Sequence, residues 1–146
     1  MAIEFYKEFG EYGYLANYSN HGFTVNGVFY PTAEHFYQAS KFDDPMIIQR
    51  ILACKTPKEA SVIGRDRNLT RIPHFRDIKL DKMYQGVYEK FLQNPDIQKK
   101  LLDTGDEEIK EMTVKESFWG VGPHFDGENH MGKILMKVRQ QLRDEK

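Results

Sequence analysis

Cysteine is nearly absent from this chain: Cys54 stands alone among 146 residues. That excludes an intramolecular disulfide and any cysteine-built metal centre. Cys54 sits among Ile47, Ile48, Ile51 and Leu52, so the sequence predicts a buried structural thiol. The five histidines, His21, His35, His74, His124 and His130, form no pair at metal-ligand spacing. A zinc hydrolase of the H-E-x-x-H type is therefore excluded. No G-x-S-x-G elbow is present, which removes serine hydrolysis. Positive charge is not in excess either, with 21 Lys and Arg against 22 Asp and Glu and a net charge of −1. A surface that coats long duplex by its phosphates would need that excess, although a local pocket for one phosphate or pyrophosphate would not. No apolar run approaches the ~20 residues of a membrane span, and no membrane partner is expected. Met1 to Phe5 lack a basic-then-apolar leader pattern, so the cytosol is the expected compartment.

Neither repeats, low-complexity tracts nor linkers interrupt the chain, and its length fits one domain over residues 1–146. Aromatic residues are plentiful, with ten Phe and eight Tyr. Most belong in a core, and some are expected to line a pocket for a flat ligand. The pattern predicts an α+β domain: short N-terminal strands and a hairpin packed with several helices. Strands are expected at Ile3–Tyr6 and Tyr14–Tyr18. Phe23–Tyr30 reads as a hairpin turning on Asn26-Gly27. Thr32 caps a first helix, Asp44-Pro45 starts a second, and Thr56-Pro57-Lys58-Glu59 opens a third that stops at Gly64. A long helix is expected from near Ile78 to Phe91, and a short one from Asn94-Pro95 to Leu101-Leu102. A strand over Glu108–Val114, a glycine-rich loop through Gly127 and a helix carrying Ile134, Leu135 and Val138 complete the reading.

Three segments can carry chemistry. On the first helix Glu34, Gln38 and Lys41 fall within about 60° of one another at ~100° per residue. Ala33, Phe36 and Ala39 take the opposite side. Such a stripe is either a solvated face with a weak ion pair or a carboxylate, an amide and an amine gathered for a purpose. The second segment runs from Trp119-Gly120-Val121-Gly122 to Gly127-Glu128-Asn129 and Gly132-Lys133. Its glycines allow close backbone approach to a ligand, and it leads into helical N–H groups suited to an anion. It matches neither a Walker loop nor a dinucleotide fingerprint. The third is Gly64-Arg65-Asp66-Arg67, whose arginines suit either a phosphate clamp or surface ion pairs.

Together these segments resemble the NADAR family over nearly the whole chain. The resemblance is carried by Phe5-Tyr6, Gly13-Tyr14-Leu15-Ala16-Asn17, Tyr30-Pro31-Thr32-Ala33-Glu34-His35, Gln38-Ala39-Ser40-Lys41-Phe42, Gly64-Arg65-Asp66-Arg67, Lys90-Phe91, Trp119-Gly120-Val121-Gly122 and Gly127-Glu128-Asn129. It implies hydrolysis of an N-glycosidic bond, without a cofactor or metal. Two substrate classes follow: ADP-ribose on guanine in DNA or RNA, and phosphoribosylaminopyrimidine intermediates of riboflavin biosynthesis. The first is preferred here, because no riboflavin-pathway domain is fused to the chain. By the same resemblance Glu34 stabilises the oxocarbenium-like state or activates water, with Lys41 and Glu116 as further catalytic groups. Asn17, Gln38, Arg65, Phe75, Trp119, Gly120, Gly122 and Asn129 become the substrate-binding set. Two positions depart from the family pattern: Glu116 stands where relatives carry Asp, and Phe75 where they carry Trp. Both bear on substrate fit more than on reaction type.

Two other function classes use the same residues differently. A module that holds ADP-ribose or NAD without turnover needs the loop and arginines but no carboxylate pair. A toxin antagonist acting through a protein partner needs an exposed apolar patch instead.

Overall fold

The computed structural model describes residues 2–146, and Met1 lies outside them. In chain order the elements are β1 (Ile3–Phe5), a 3-10 turn (Gly13–Leu15), β2 (Phe23–Val25), β3 (Val28–Tyr30), α1 (Ala33–Ala39), α2 (Pro45–Leu52), α3 (Pro57–Gly64), α4 (Phe75–Gln93), α5 (Pro95–Asp103), β4 (Ile109–Glu111) and α6 (His130–Asp144). This is the α+β arrangement expected, with six helices and two small two-stranded sheets among the described residues.

Local chemistry sets most of the boundaries. Asn26 and Gly27 have φ of 51° and 81°, the paired positive values that turn β2 antiparallel onto β3. Thr32 Oγ1 accepts the His35 amide at 3.1 Å and starts α1. Asp44 does the same for Met46 at 2.9 Å, and Thr56 for Glu59 at 3.2 Å. At Thr56 the reciprocal contact differs from a capping box: the Glu59 carboxylate accepts from the Thr56 hydroxyl at 3.0 Å.

Three expectations are corrected. Tyr14–Tyr18 is not a strand, because Gly13–Leu15 coil into a 3-10 turn. Its cause is distant in sequence: the fully buried Lys90 ammonium donates to the carbonyls of Tyr14 at 2.7 Å and Ala16 at 2.9 Å, which only a turn brings together. α4 begins at Phe75, ahead of Ile78, after His74 adopts a left-handed φ of 60°. Cys54 is half-buried rather than buried, with its thiol donating to the Arg50 carbonyl at 3.3 Å. Burial, aided by Glu59, pushes that thiol's pKa up, so it stays an unreactive group.

The main core lies among β1, β4, α4, α5 and α6, centred on Leu15, Phe91, Leu101, Ile109 and Leu135. A smaller cluster joins Ala39 and Phe42 to Ile51 of α2 and Ala60 of α3. A third places Phe23 against Ala33 and Phe36. Helix α1 packs on α2, α3, α4 and β3 at once, so all seven of its residues are buried. β1 and β4 pair in parallel, with Phe5 opposite Glu111. No helix among the described residues is long and apolar enough to cross a membrane.

Candidate active site

Because α1 is enclosed on every side, its polar stripe is not a solvated face, and because α1 ends at Ala39, Lys41 joins Glu34 and Gln38 from the following turn rather than from the helix. Glu34 and Lys41 are each 7% exposed and Gln38 is 2% exposed. Gln38 Nε2 donates to Glu34 Oε2 at 2.7 Å. The Glu34 carboxyl is pushed above its ordinary pKa by burial, against the Gln38 hydrogen bond and the charges of Arg65 and Lys41. Lys41 is lowered to about 8, first by burial and then by Arg71 and Arg65, with Glu34 opposing. Its ammonium lies 5.3 Å from the centre of the Tyr37 ring. A carboxylate and an amine, each moved toward neutrality, therefore share one buried surface.

An aromatic wall stands beside them. Tyr37 is its centre: Phe75 meets it edge-on at 5.6 Å and Trp119 at 5.8 Å, and Phe118 sits 4.8 Å from Trp119. The Tyr37 hydroxyl is raised to about 12, by burial and then by Glu34 and Glu116, so it stays protonated. Opposite, Asn17 reaches the site from the loop behind the 3-10 turn. Its carbonyl accepts the Glu34 amide at 3.2 Å, and its side-chain Nδ2 donates to Met83 Sδ at 3.1 Å. Asn17 Oδ1 and Gln38 Oε1 are buried without a hydrogen-bond partner among the described residues, an arrangement native proteins avoid unless a ligand or solvent completes it.

Arginines rim this cluster. Arg65, at the end of α3, is exposed and its charge acts on both Glu34 and Lys41. Arg71 donates to the Gly64 carbonyl at 3.0 Å and is held near by Ile72, whose amide donates to the Lys41 carbonyl at 2.8 Å.

The loop before α6 closes the opposite edge. Glu116 turns back on its own chain, and its Oε1 accepts the Phe118 amide at 2.6 Å. The Glu116 carboxylate thus braces the Phe118-Trp119 turn. Gly120 lies against β4: a Cβ there would sit 2.9 Å from the Glu111 carbonyl and 3.2 Å from its Oε2. Gly122, at φ 74°, donates its amide to the Thr113 carbonyl at 3.1 Å. Asn129 does not face the cluster with a free amide. Its Nδ2 donates to the Ile109 carbonyl and its Oδ1 accepts the Glu111 amide, both at 2.9 Å, which ties the start of α6 to β4. His35, within the motif, is likewise structural, bridging Thr32 Oγ1 at 2.8 Å and the Cys54 carbonyl at 3.0 Å.

Three residues here escaped the sequence reading: Tyr37, Arg71 and Glu111. Tyr37 could have been found, since it lies beside the stripe on the same short helix. Arg71 and Glu111 arrive from remote segments and carry no local signal. Among the described residues no group of three or more His, Cys, Asp or Glu is placed to hold a metal ion. A separate groove of about 520 Å³, bordered by Tyr12, Tyr14 and Lys100, shares no lining residue with this cluster.

The same arrangement of chain occurs in known proteins. An N-glycosidase of Nostoc punctiforme is 42% identical over 99% of this chain and 94% of its own length. A riboflavin biosynthesis protein of Vibrio vulnificus is 39% identical over 97% of this chain, which spans 39% of that longer protein. The solution structure of Escherichia coli YbiA, called an N-glycosidase, superposes with a TM-score of 0.90 at 33% identity, covering 99% of this chain and 86% of that one. The NADAR domain model matches residues 4–143. With the match running from within β1 to within α6, the chain belongs to the NADAR domain family.

Proposed function

We propose that this chain is an N-glycosidase that hydrolyses the bond between a ribose C1′ and a base nitrogen. The observation that carries this reading is the burial of Glu34 on α1 and of Lys41 in the turn just past its end, beside an aromatic wall. Cleavage of a ribosyl C–N bond spreads positive charge over C1′ and the ring oxygen, and a carboxylate in a low-dielectric site stabilises that charge. Glu34 takes this role and accepts the proton of the attacking water, helped by a pKa closer to neutrality. Lys41, lowered to about 8, is partly neutral at physiological pH. It can attack the anomeric carbon of an opened sugar and form a Schiff base.

Binding roles follow from the same geometry. Gln38 and Asn17, whose Oε1 and Oδ1 are buried without a hydrogen-bond partner among the described residues, position the ribose hydroxyls. Trp119 and Phe75 present rings to the base. Arg65 and Arg71 hold phosphate, while Gly120 and Gly122 let the loop before α6 pack closely against β4 and Thr113. Glu116 acts by bracing the Phe118-Trp119 turn, and Asn129 by fixing β4.

For the substrate, sequence alone favours guanine-linked ADP-ribose. The relatives named riboflavin biosynthesis proteins, in Vibrio vulnificus and in Zea mays at 35% identity, favour a phosphoribosylaminopyrimidine, and we place that first. ADP-ribosylated guanine is the second reading. The exposed Arg65 and Arg67 support it by offering contacts for a second phosphate and a nucleic-acid strand. The test is a release assay on the purified chain with both substrates side by side. Ribose phosphate freed from the pyrimidine supports the first reading. Release of ADP-ribose from a modified oligonucleotide alone would replace it with the second. Binding of ADP-ribose without release from either substrate would leave a binding module.

A further inference from the structure

We propose that Glu111, at the end of β4, is the acid that protonates the departing base nitrogen, working across the site from Glu34. This rests on the N-glycosidase reading above and adds to it a residue and a proton path.

The backbone of Glu111 is fixed from several sides. Its amide donates to Asn129 Oδ1 at 2.9 Å, and its carbonyl accepts the Val121 amide at 2.9 Å. Pairing with Phe5 in the β1–β4 sheet fixes the same residue from a third side. Its carboxyl lies under Gly120, where even a methyl group would come within 3.2 Å of Oε2. Thr113 hydrogen-bonds the carboxyl. An acid that must meet one atom of a substrate needs this kind of fixed backbone.

The charges around it are negative. Glu34 on α1 and Glu116 in the loop before α6 both act on Glu111. Carboxyls within electrostatic reach of one another oppose each other's ionisation, which favours the protonated form of one of them. Burial, reinforced by Glu116 and Glu34 and opposed by Thr113, raises Glu111 to about 7. Independently of this cluster, Asn17, whose carbonyl accepts the Glu34 amide at 3.2 Å, keeps its Oδ1 buried without a hydrogen-bond partner among the described residues, an acceptor that a ligand or solvent would complete.

The step balances without a co-reactant. As the C1′–N bond breaks, its electron pair passes to the base nitrogen, which takes the Glu111 proton. The water oxygen bonds to C1′ and gives its proton to Glu34. Glu34 then releases that proton to solvent and Glu111 regains one, so one water has been added and both carboxyls are restored. If neutral Lys41 attacks first, its Nζ–C1′ bond forms as the C1′–base bond breaks, the base leaves with the Glu111 proton, and water then hydrolyses the sugar–Lys41 adduct and frees the amine.

Leaving-group dependence tests this directly. The full chain and Glu111→Gln are assayed on the phosphoribosylaminopyrimidine and on a 4-nitrophenyl riboside 5-phosphate, whose leaving group departs without a proton. General-acid loss should cost the variant about 100-fold or more in kcat on the base but less than about fivefold on the nitrophenyl substrate. In the wild-type protein kcat on the base should fall as pH rises through about 7, with no such fall for nitrophenolate release. This wild-type arm decides the matter even if the variant does not fold. Equal losses on both substrates, or no fall above neutrality on the base, would overturn the assignment. Wild-type protein inert on both would overturn the glycosidase reading and this role with it.

Discussion

Gly64 lies directly beneath the Gln38 amide, so that a Cβ on Gly64 would come 1.9 Å from Gln38 Oε1 and 2.9 Å from Gln38 Cβ. The close approach of α3 to α1 thus depends on a missing side chain, and it holds the amide against Glu34. Gly64→Ala should cost about 1–3 kcal/mol through overpacking. It should also displace the Gln38 amide from Glu34, leaving that carboxyl more easily protonated. Activity should then fall, and its acidic limb should move to higher pH. Thermal melts and a kcat–pH profile of the variant check both effects.

Lys41 offers a sharp choice between covalent and purely electrostatic roles. If its amine attacks the sugar, borohydride added during turnover should fix a sugar adduct on Lys41, visible by mass spectrometry. Lys41→Arg keeps the charge but cannot form the imine, so its rate should fall about 100-fold or more. Near-normal turnover in that variant would end the covalent version.

Asn129 is expected to matter for stability rather than for substrate affinity. Asn129→Ala would leave the Glu111 amide and the Ile109 carbonyl unpaired, at about 1–3 kcal/mol for each buried group. It would also put Ala at φ 51°, where Asn is tolerated. Chemical denaturation should show the loss, while KM of the remaining folded protein stays near that of wild type.

Stability should depend on pH in two opposite ways around neutrality. Lys90 falls to about 7 in the fold through burial, far below an exposed lysine. Between pH 7 and roughly 10 the unfolded chain therefore binds more protons at this position, so stability should rise with pH. Lys41 contributes with the same sign over its own window from about 8. Glu111, raised to about 7, acts in the opposite sense: between its unfolded value near 4.5 and 7 the folded state holds more protons, so stability falls as pH rises. Urea titrations from pH 5 to 9.5 should trace a minimum near neutrality. Lys90→Met should remove most of the rise on the alkaline side.

Much of this was legible in the sequence wherever the determinant was local. Asn26-Gly27, Thr32, Asp44 and Thr56 each set an element boundary with their own side chain or φ value. The Glu34–Gln38–Lys41 stripe could be drawn from helical periodicity alone, but not whether it was wet or buried, since that is set by the packing of α2, α3 and α4. Tyr14–Tyr18 misled because its turn is stabilised by Lys90, more than 70 positions away. Glu111 was invisible for a related reason. Nothing in Ile109-Lys110-Glu111 signals a site until Gly120, Asn129 and Glu34 are brought around it.

The most direct test of the central claim is a paired measurement on Glu34→Gln: single-turnover release of the base, and Kd for the phosphoribosyl substrate. The amide keeps the shape of the site but can neither stabilise a cationic sugar nor accept a proton. Release should slow by about 100-fold or more, with Kd changed by only a few fold. Release at the wild-type rate would contradict it, showing that the buried carboxylate of α1 is not part of the chemistry.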